Sequence, residues 1–331
     1  MHSIKHKPPV SVIIPIYNVE KYIERCVRSL MEQTLNDIEY IFVNDCTPDR
    51  SIEILQRTIA EYPQRKKYIQ ILTHDRNRGS ACARNNGVKA ATGEYIIHCD
   101  SDDWVEKDMY EKMYQEAVSQ NADIVVCDYI AEYSKKQVYH SQYTSTEKKE
   151  FLCNILCGKL HNGMWNKLVR STLYNRLNFL WKEGINMWED VSVIPRLAYY
   201  AQRISYLPKA LYHYSQTNTS AYTKKWSLSS LENVISVTTI INTFFEEKGD
   251  DNYHQALLYF KLHAKYVLLH HAPSNKFKSY RTMYPETNHL VFSHPAFPFY
   301  SKIIMWCWLH SYKQAASFIL FVMATIKNIT R

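Results

Sequence analysis

Glycine and proline are scarce in this chain, 7 and 11 among 331 residues. Collagen-like and linker-like classes need one or both in bulk, so neither applies. Cysteine is present eight times but never as Cys-x-x-Cys, and the opening residues do not read as a secretory leader. Reduced, buried thiols of a cytosolic protein are the expectation. Cys153 and Cys157 stand four apart on a predicted helix and could share a metal, but no His or Cys lies beside them; core packing is the simpler reading. Long apolar runs are missing too. The longest near the C-terminus, Ala315–Ile326, has 12 residues, about 18 Å as helix against a hydrocarbon core of about 30 Å. Joined to Ile303–Leu309 through His310–Gln314 it would make 24 residues, so a span stays open beside an interfacial helix with Trp306, Trp308 and flanking Lys, and beside a plain packed helix. Acid is the last shortage: residues 255–331 carry nine Lys and Arg but only Glu286, so the entire net charge of +8 belongs to this stretch. Such a field calls for an anionic partner. With no nucleic-acid-binding motif and long apolar runs alongside, an anionic membrane surface is expected and nucleic acid is not. What the chain does have is 46% hydrophobic residues, 12 Phe and 26 Tyr among them. That is enough apolar surface to offset ordering entropy, which excludes disorder. The length suits one large or two ordinary domains.

From Val10 to about Val126 short apolar runs alternate with amphipathic stretches. Val10–Pro15, Glu39–Val43, Ile69–Leu72, Tyr95–Cys99 and Ile124–Cys127 are predicted strands. Between the first two, Tyr22/Ile23, Cys26/Val27 and Leu30/Met31 recur every four residues, the spacing of a helix with one buried face. Ser51–Tyr62, Ser80–Ala91 and Lys107–Ser119 repeat the pattern. Strand–helix–strand repetition implies right-handed crossovers and an α/β, doubly wound, mainly parallel sheet flanked by helices. Such sheets bind ligands at the carboxyl ends of their strands. Residues 133–150 are polar and suggest a connection; Phe151–Gly158 and Ser192–Tyr200 look helical; and from Leu228 onward the chain reads as a mostly helical region.

Chemistry-bearing residues sit at the predicted strand ends. Pro15, Tyr17 and Asn18 close the first strand as a rigid loop with a ring suited to stacking a base. Asp45 ends the second, where its carboxylate could accept a uracil imide N–H or simply serve as a turn residue. Arg78 and Arg84, around the start of a predicted helix, are cationic donors suited to phosphates. Asp100-Ser101-Asp102-Asp103-Trp104 directly follows an apolar strand. Carboxylates clustered there suit Mg²⁺ or Mn²⁺, which keep open positions for substrate phosphates. Trp188-Glu189-Asp190 precedes a predicted helix, so Asp190 could cap it or deprotonate an acceptor hydroxyl.

Taken in order, VSVIIPIYN, IFVNDCTPD, NRGSACARNNG, GEYIIHCDSDDW, MWNKLVRSTLY and WEDVS resemble the family 2 glycosyltransferases of GT-A fold, the bacterial type that builds surface polysaccharides. The resemblance covers roughly residues 9–215. It implies a nucleoside pocket at Pro15, Tyr17 and Asp45, and a DxD motif at Asp100-Ser101-Asp102, extended by Asp103, whose last acid coordinates the metal that bridges the donor diphosphate. It implies an acceptor-side base from the pair Glu189-Asp190. Asn44 stands where many members have another acid, and Cys46 where small residues are usual. His213, in a segment that closes over the donor in family members, is a candidate third metal ligand or an ordinary packed histidine.

The expected activity is therefore inverting, metal-dependent transfer of one sugar from a UDP-linked donor to a saccharide or lipid-linked saccharide, at the cytoplasmic face of the membrane. The expected organisation is an extension over 1–9, a GT-A domain over 10–220 with halves 10–130 and 131–220, and a basic helical region over 221–331. Oligomeric state is left open, a homo-oligomer included. A processive synthase is disfavoured by the lack of a QxxRW-type motif and of repeated spans. A sugar-phosphate nucleotidyltransferase would carry a Gly-rich loop after the first strand, where this chain has Pro15-Ile16-Tyr17-Asn18. A catalytically inactive binding module is disfavoured by the retention of every acid the chemistry needs.

Overall fold

The structure, a computed structural model, describes residues 7–143, 145–219 and 224–329. It divides into two compact units, one of Met1–Glu150 with Asn162–Lys224 and one of Phe151–His161 with Lys225–Arg331.

In the first unit the chain runs β1 (Val10–Ile16), α1 (Ile23–Met31), β2 (Ile38–Asn44), α2 (Ser51–Ala60), β3 (Ile69–Thr73), α3 (Ser80–Ala90), β4 (Tyr95–His98), β5 (Trp104–Val105), α4 (Met109–Ser119), β6 (Ile124–Glu132) and β7 (Gln137–His140). After α5 (Lys148–Leu156) come β8 (Lys167–Arg170), α6 (Ser171–Tyr174), α7 (Glu189–Tyr200) and β9 (Ile204–Ser215). One sheet of nine strands results, in the order β3-β2-β1-β4-β8-β6-β9-β5, with β7 on β6. Strands β1 to β4, β6 and β9 share a direction, and β5, β7 and β8 oppose it, so the sheet is mainly parallel. Because β1 leads outward to β2 and β3 on one side and pairs with β4 on the other, a crevice opens at the carboxyl ends of β1 and β4.

Both faces of the parallel half are covered, as its uninterrupted apolar runs require. On one face Val12, Ile14, Tyr40 and Phe42 pack with Ile23, Val27 and Leu30 of α1 and Met109 and Met113 of α4. Fully burying each aliphatic side chain contributes about 1.5–3 kcal/mol. On the other face Ile41 and Val43 meet Ala83 of α3, and α3 approaches so closely that a Cβ at Gly87 would collide with Ile13.

Four strands, β5, β7, β8 and β9, lie outside the runs that sequence periodicity predicts. Residues 133–150 are not only a connection: they hold β7, an edge strand too short and too exposed to show a buried alternation. In β9, Pro208 and Lys209 interrupt the pattern; they are looped out where the register jumps from Leu207 to Ala210 against Cys127 and Asp128, a bulge being one of the few places a strand tolerates proline. β5 has two residues and β8 four.

The second unit contains Phe151–His161, which periodicity alone assigns to the acceptor-side half, with α8 (Leu228–Lys248), α9 (His254–His271), α10 (Phe277–Thr282), α11 (Phe299–Leu309) and α12 (Lys313–Ile329). Ser227 caps α8 by accepting the Ser230 N–H at 3.1 Å, while Ser230 Oγ accepts the Ser227 N–H at 3.2 Å. Its core takes Leu231, Val234, Val237, Ile241 and Phe245 from α8 and Ile304, Met305 and Trp308 from α11. The apolar runs of α11 and α12 are separate helices: the chain turns between them with Ser311 at φ 70°. No helix among the described residues is long and apolar enough to cross a membrane.

Candidate active site

The parallel strands deliver their carboxyl ends to one side. Half-buried Pro15 is the penultimate residue of β1, which passes from buried Ile16 to Tyr17, whose side chain is exposed, and Asn18, at φ 55°. Cys46, after β2, adopts φ 54°. Both take the left-handed region that glycine occupies most easily. The departure at Asn44 keeps a turn function: its Oδ1 accepts the Thr47 N–H at 2.9 Å.

Asp45 is buried and fully engaged at both oxygens. Oδ1 accepts the Arg78 N–H at 2.8 Å and contacts His74 Nδ1 at 2.7 Å, and Oδ2 accepts the Gly79 N–H at 2.7 Å. Asn86 donates to His74 Nε2 at 2.8 Å, so the network places the imidazole proton on Nδ1, toward Asp45. Thus Asp45 shapes the turn that opens α3. His74 escaped the sequence reading, although it follows β3 as Asp45 follows β2.

The two arginines differ from each other. Arg78 reaches the surface, where its guanidinium pairs with Glu183 at 3.1 and 3.2 Å. Arg84, expected to meet phosphates, is instead buried, donating to Asp100 Oδ1 at 2.8 Å with Nε 3.4 Å from Asp190 Oδ1. Burial works against its charge, but Asp190, Asp100 and Glu189 more than offset that and raise its pKa. Enclosed by carboxylates of the protein itself, Arg84 links the β4 turn to the start of α7.

The acids after β4 also separate. Asp100 retains some exposure, its backbone N–H donating to Tyr212 Oη at 3.1 Å. Ser101 is buried. Asp102 accepts from Asn218 Nδ2 at 2.8 Å, and burial, then the Asp100 charge, raises its carboxyl pKa. Asp103, expected to extend the metal site, is fully buried under β9: it accepts from Tyr212 Oη at 2.6 Å and from the Ser215 N–H at 2.7 Å. Burial drives its pKa well up, and its oxygens serve the β5–β9 junction. His213 is buried and packed. It contacts Glu132 at 2.7 Å and Glu106 at 2.9 Å and stacks on Trp104 at 3.4 Å. Among the described residues no three His, Cys, Asp or Glu side chains are gathered to hold a metal ion. Asp100 and Asp102 nevertheless fit one: they are adjacent hard oxygen donors whose mutual repulsion a divalent cation relieves, and two carboxylates leave positions for phosphate oxygens.

On the acceptor side α7 begins at Glu189, after Trp188 at φ 63°. Asp190 therefore does not occupy the N-cap, and its Oδ2 accepts the Met164 N–H of a neighbouring turn at 3.1 Å. Glu189 accepts from Ser80 Oγ at 3.0 Å. Burial, with Asp190 beside it, pushes Glu189 up to about 7. Burial also raises Asp190, but Arg84 opposes the rise. Arg84 opposes the rise at Glu189 as well, so one buried cation balances both carboxyls. Ser80, Asn218 and Tyr212 carry no sequence signal of their own, because each acts on a residue remote in the chain.

Comparison with known proteins identifies the family and the fold. The family model described as "Glycosyl transferase family 2" matches residues 11–179. An uncharacterized glycosyltransferase of Bacillus subtilis, EpsJ, is 37% identical over 220 residues, which cover 64% of this chain; the chain spans 62% of that protein's length. Residues 1–349 of S. aureus TarS, solved in complex with UDP-GlcNAc, superpose with a TM-score of 0.71 at 20% identity, covering 92% of each chain. The mannosyltransferase PcManGT of Pyrobaculum calidifontis, solved with GDP-Man and Mn²⁺, gives 0.55 at 15% identity, over 98% of this chain and 88% of that one. Since that family model spans just over half of the chain, and the chain folds as the GT-A enzymes do, the chain belongs to family 2 of the glycosyltransferases.

Proposed function

We propose that the protein transfers a single sugar, with inversion, from a UDP-sugar to a saccharide or lipid-linked saccharide acceptor in surface polysaccharide synthesis. One observation carries the reading: the buried Arg84 guanidinium reaches both Asp100, on the donor side, and Asp190, on the acceptor side. A metal turn and a candidate base are thereby held at the two sides of one reaction centre.

In this reading Tyr17 stacks the base, Asp45 orders the loop beside it, and Arg78 rather than Arg84 meets the diphosphate. Asp100 and Asp102 would hold Mn²⁺ or Mg²⁺, which would supply Lewis-acid stabilisation of the departing diphosphate charge. Asp190 accepts the proton of the acceptor hydroxyl as that oxygen bonds to the anomeric carbon and the bond from that carbon to the diphosphate oxygen breaks. Attack from the opposite face inverts the centre, and no covalent enzyme intermediate forms. A nucleotide sugar is bound by both solved relatives, UDP-GlcNAc in one and GDP-Man with Mn²⁺ in the other.

We further assign the basic region to peripheral attachment on an anionic cytoplasmic membrane face. Phe318 and Phe321 of α12 are 68% and 70% exposed, on the stretch of the chain that holds the whole excess of positive charge. An apolar helix surface beside Lys suits the headgroup boundary.

Thermal-shift measurement with UDP, CDP and GDP, each with and without Mn²⁺, tests the donor assignment, because a ligand that binds the native state raises its melting temperature by mass action. UDP with Mn²⁺ is expected to give the largest rise. Equal shifts for all three nucleotides would reject uracil selection, and a shift indifferent to Mn²⁺ would reject the metal.

A further inference from the structure

Lys167, in the Met164-Trp165-Asn166-Lys167 segment, is fully buried, an expensive place for an ammonium. Its Nζ donates to Gly163 O at 2.9 Å and to Asn166 Oδ1 at 2.7 Å. Its backbone N–H returns to Met164 O at 3.2 Å, which tightens the same turn. Asn166 ties that turn to β6: its Nδ2 donates to Cys127 O at 2.9 Å, and its own carbonyl accepts the Cys127 N–H at 3.1 Å. What this bracing presents to the site is the Met164 N–H, the donor to Asp190 Oδ2.

We infer that Lys167 is a positioning residue for Asp190, fixing the turn whose amide holds the carboxylate and adding a second positive charge to that of Arg84 on the buried side of the base. The inference rests on Asp190 being the base. Ordinary packing does not account for the residue, because a methionine would fill a similar space without the cost of burying a charge. Burial pushes the Lys167 ammonium down to about 7, and the Asp190 charge acts to keep it protonated. Among the described residues, the charged and titratable groups that act on Asp190 are Arg84 from α3, Asp100 from the β4 turn, Lys167 from β8, Tyr174 from α6 and Glu189 from its own helix. Of these only Arg84 and Lys167 are cationic, so loss of Lys167 shifts the balance toward the protonated carboxyl.

The test compares Lys167→Met with the parent in UDP release from UDP-glucose, UDP-galactose and UDP-N-acetylglucosamine with Mn²⁺, across pH 5–9. Expected are a fall in kcat of about tenfold or more at neutral pH, a donor KM within about twofold of the parent, and an acid limb of kcat displaced to higher pH. A folded Lys167→Met with parental kcat and parental pH profile overturns the inference. So does a parallel loss of kcat, donor binding and melting temperature with no displaced limb, the behaviour of a purely structural residue. If Lys167→Met does not fold, Lys167→Gln, which keeps a donor for the turn without the charge, carries the same expectation of a displaced acid limb, and an undisplaced limb again overturns it. Asp190→Asn is measured alongside: its retention of activity defeats the base assignment itself, whereas an inactive Asp190→Asn beside a parental Lys167→Met defeats only the inference about Lys167.

Discussion

Asp190 and Glu189 are adjacent in sequence, and burial raises both against the charge of Arg84, but their hydrogen-bond partners differ. Asp190 faces Arg84 Nε and the Met164 N–H, whereas Glu189 has the Ser80 hydroxyl. Asp190→Asn keeps the volume and can still accept the Met164 amide, but it cannot take a proton. Turnover is expected to fall about 10²–10⁴-fold with UDP and Mn²⁺ binding preserved; near-parental turnover would move the role to Glu189. Glu189 offers a separate test through stability. Its folded pKa, near 7, lies above the ordinary value of 4.5, so between those values the native state binds more protons than the unfolded state. Its contribution to stability is therefore present at low pH and is lost as pH rises through about 7. Glu189→Gln removes this dependence, so the variant should gain melting temperature relative to the parent between pH 5 and pH 8. A difference constant across that range would show that Glu189 titrates normally. Asp102→Asn should abolish the Mn²⁺-dependent part of UDP binding with little change in melting temperature of the free protein; calorimetric titration with and without Mn²⁺ decides it.

Helix α3 shows what a single element contributes. It opens on the turn that Asp45 organises, carries Arg84 inward to the carboxylates, and packs on β1 through Gly87. An alanine normally gains about 1 kcal/mol over glycine inside a helix. Here the added methyl meets Ile13, and overpacking costs about 1–3 kcal/mol. Gly87→Ala is thus expected to be less stable than the parent in urea titration, and a stabilised variant would show slack between α3 and β1. The periodic helices α1 to α4 and strands β1 to β4 were legible in the sequence because each buries a regular face. β7, β8 and β9 were not, because β7 is a short edge strand, β8 has only four residues, and a bulge at Pro208 in β9 erases the period of two.

At the scale of the whole molecule, the charge asymmetry visible in the sequence acquires a surface. The excess of +8 falls on residues 255–331, and α12 leaves Phe318 and Phe321 exposed. Each Lys or Arg near an anionic surface contributes about 1 kcal/mol, over a distance of about 10 Å at 0.1 M salt. The full chain is expected to sediment with phosphatidylserine vesicles at low salt, to be released as salt rises, and to ignore neutral vesicles. Phe318→Ser with Phe321→Ser should weaken binding further, since neither side chain supports the core. Indifference to anionic vesicles at low salt would make α12 a helix of the fold with no membrane role. Removing everything from Ser301 onward is a poorer test than the two substitutions, because Ile304, Met305 and Trp308 of α11 are buried in the second unit.

Short-range pattern determined a good deal by itself: the mainly parallel α/β sheet, the strand-end loops, the acidic turn after β4 and the acidic pair at α7, since each is carried by neighbours in sequence whose pattern shows without a distant partner. Partnership was decided only by tertiary structure. Arg84 reads from sequence as a phosphate ligand because an arginine at a helix start is cationic wherever it points; folding buries it between Asp100 and Asp190. Asp103 reads as a metal ligand because it adjoins Asp102, yet the chain turns it under β9 to meet Tyr212, 109 residues away in sequence. His213 is taken up by Glu106, Glu132 and Trp104 for the same reason. A carboxylate or guanidinium declares its charge in the sequence, but its neighbours come from distant strands and helices, and in a buried site those neighbours settle what the charge can do.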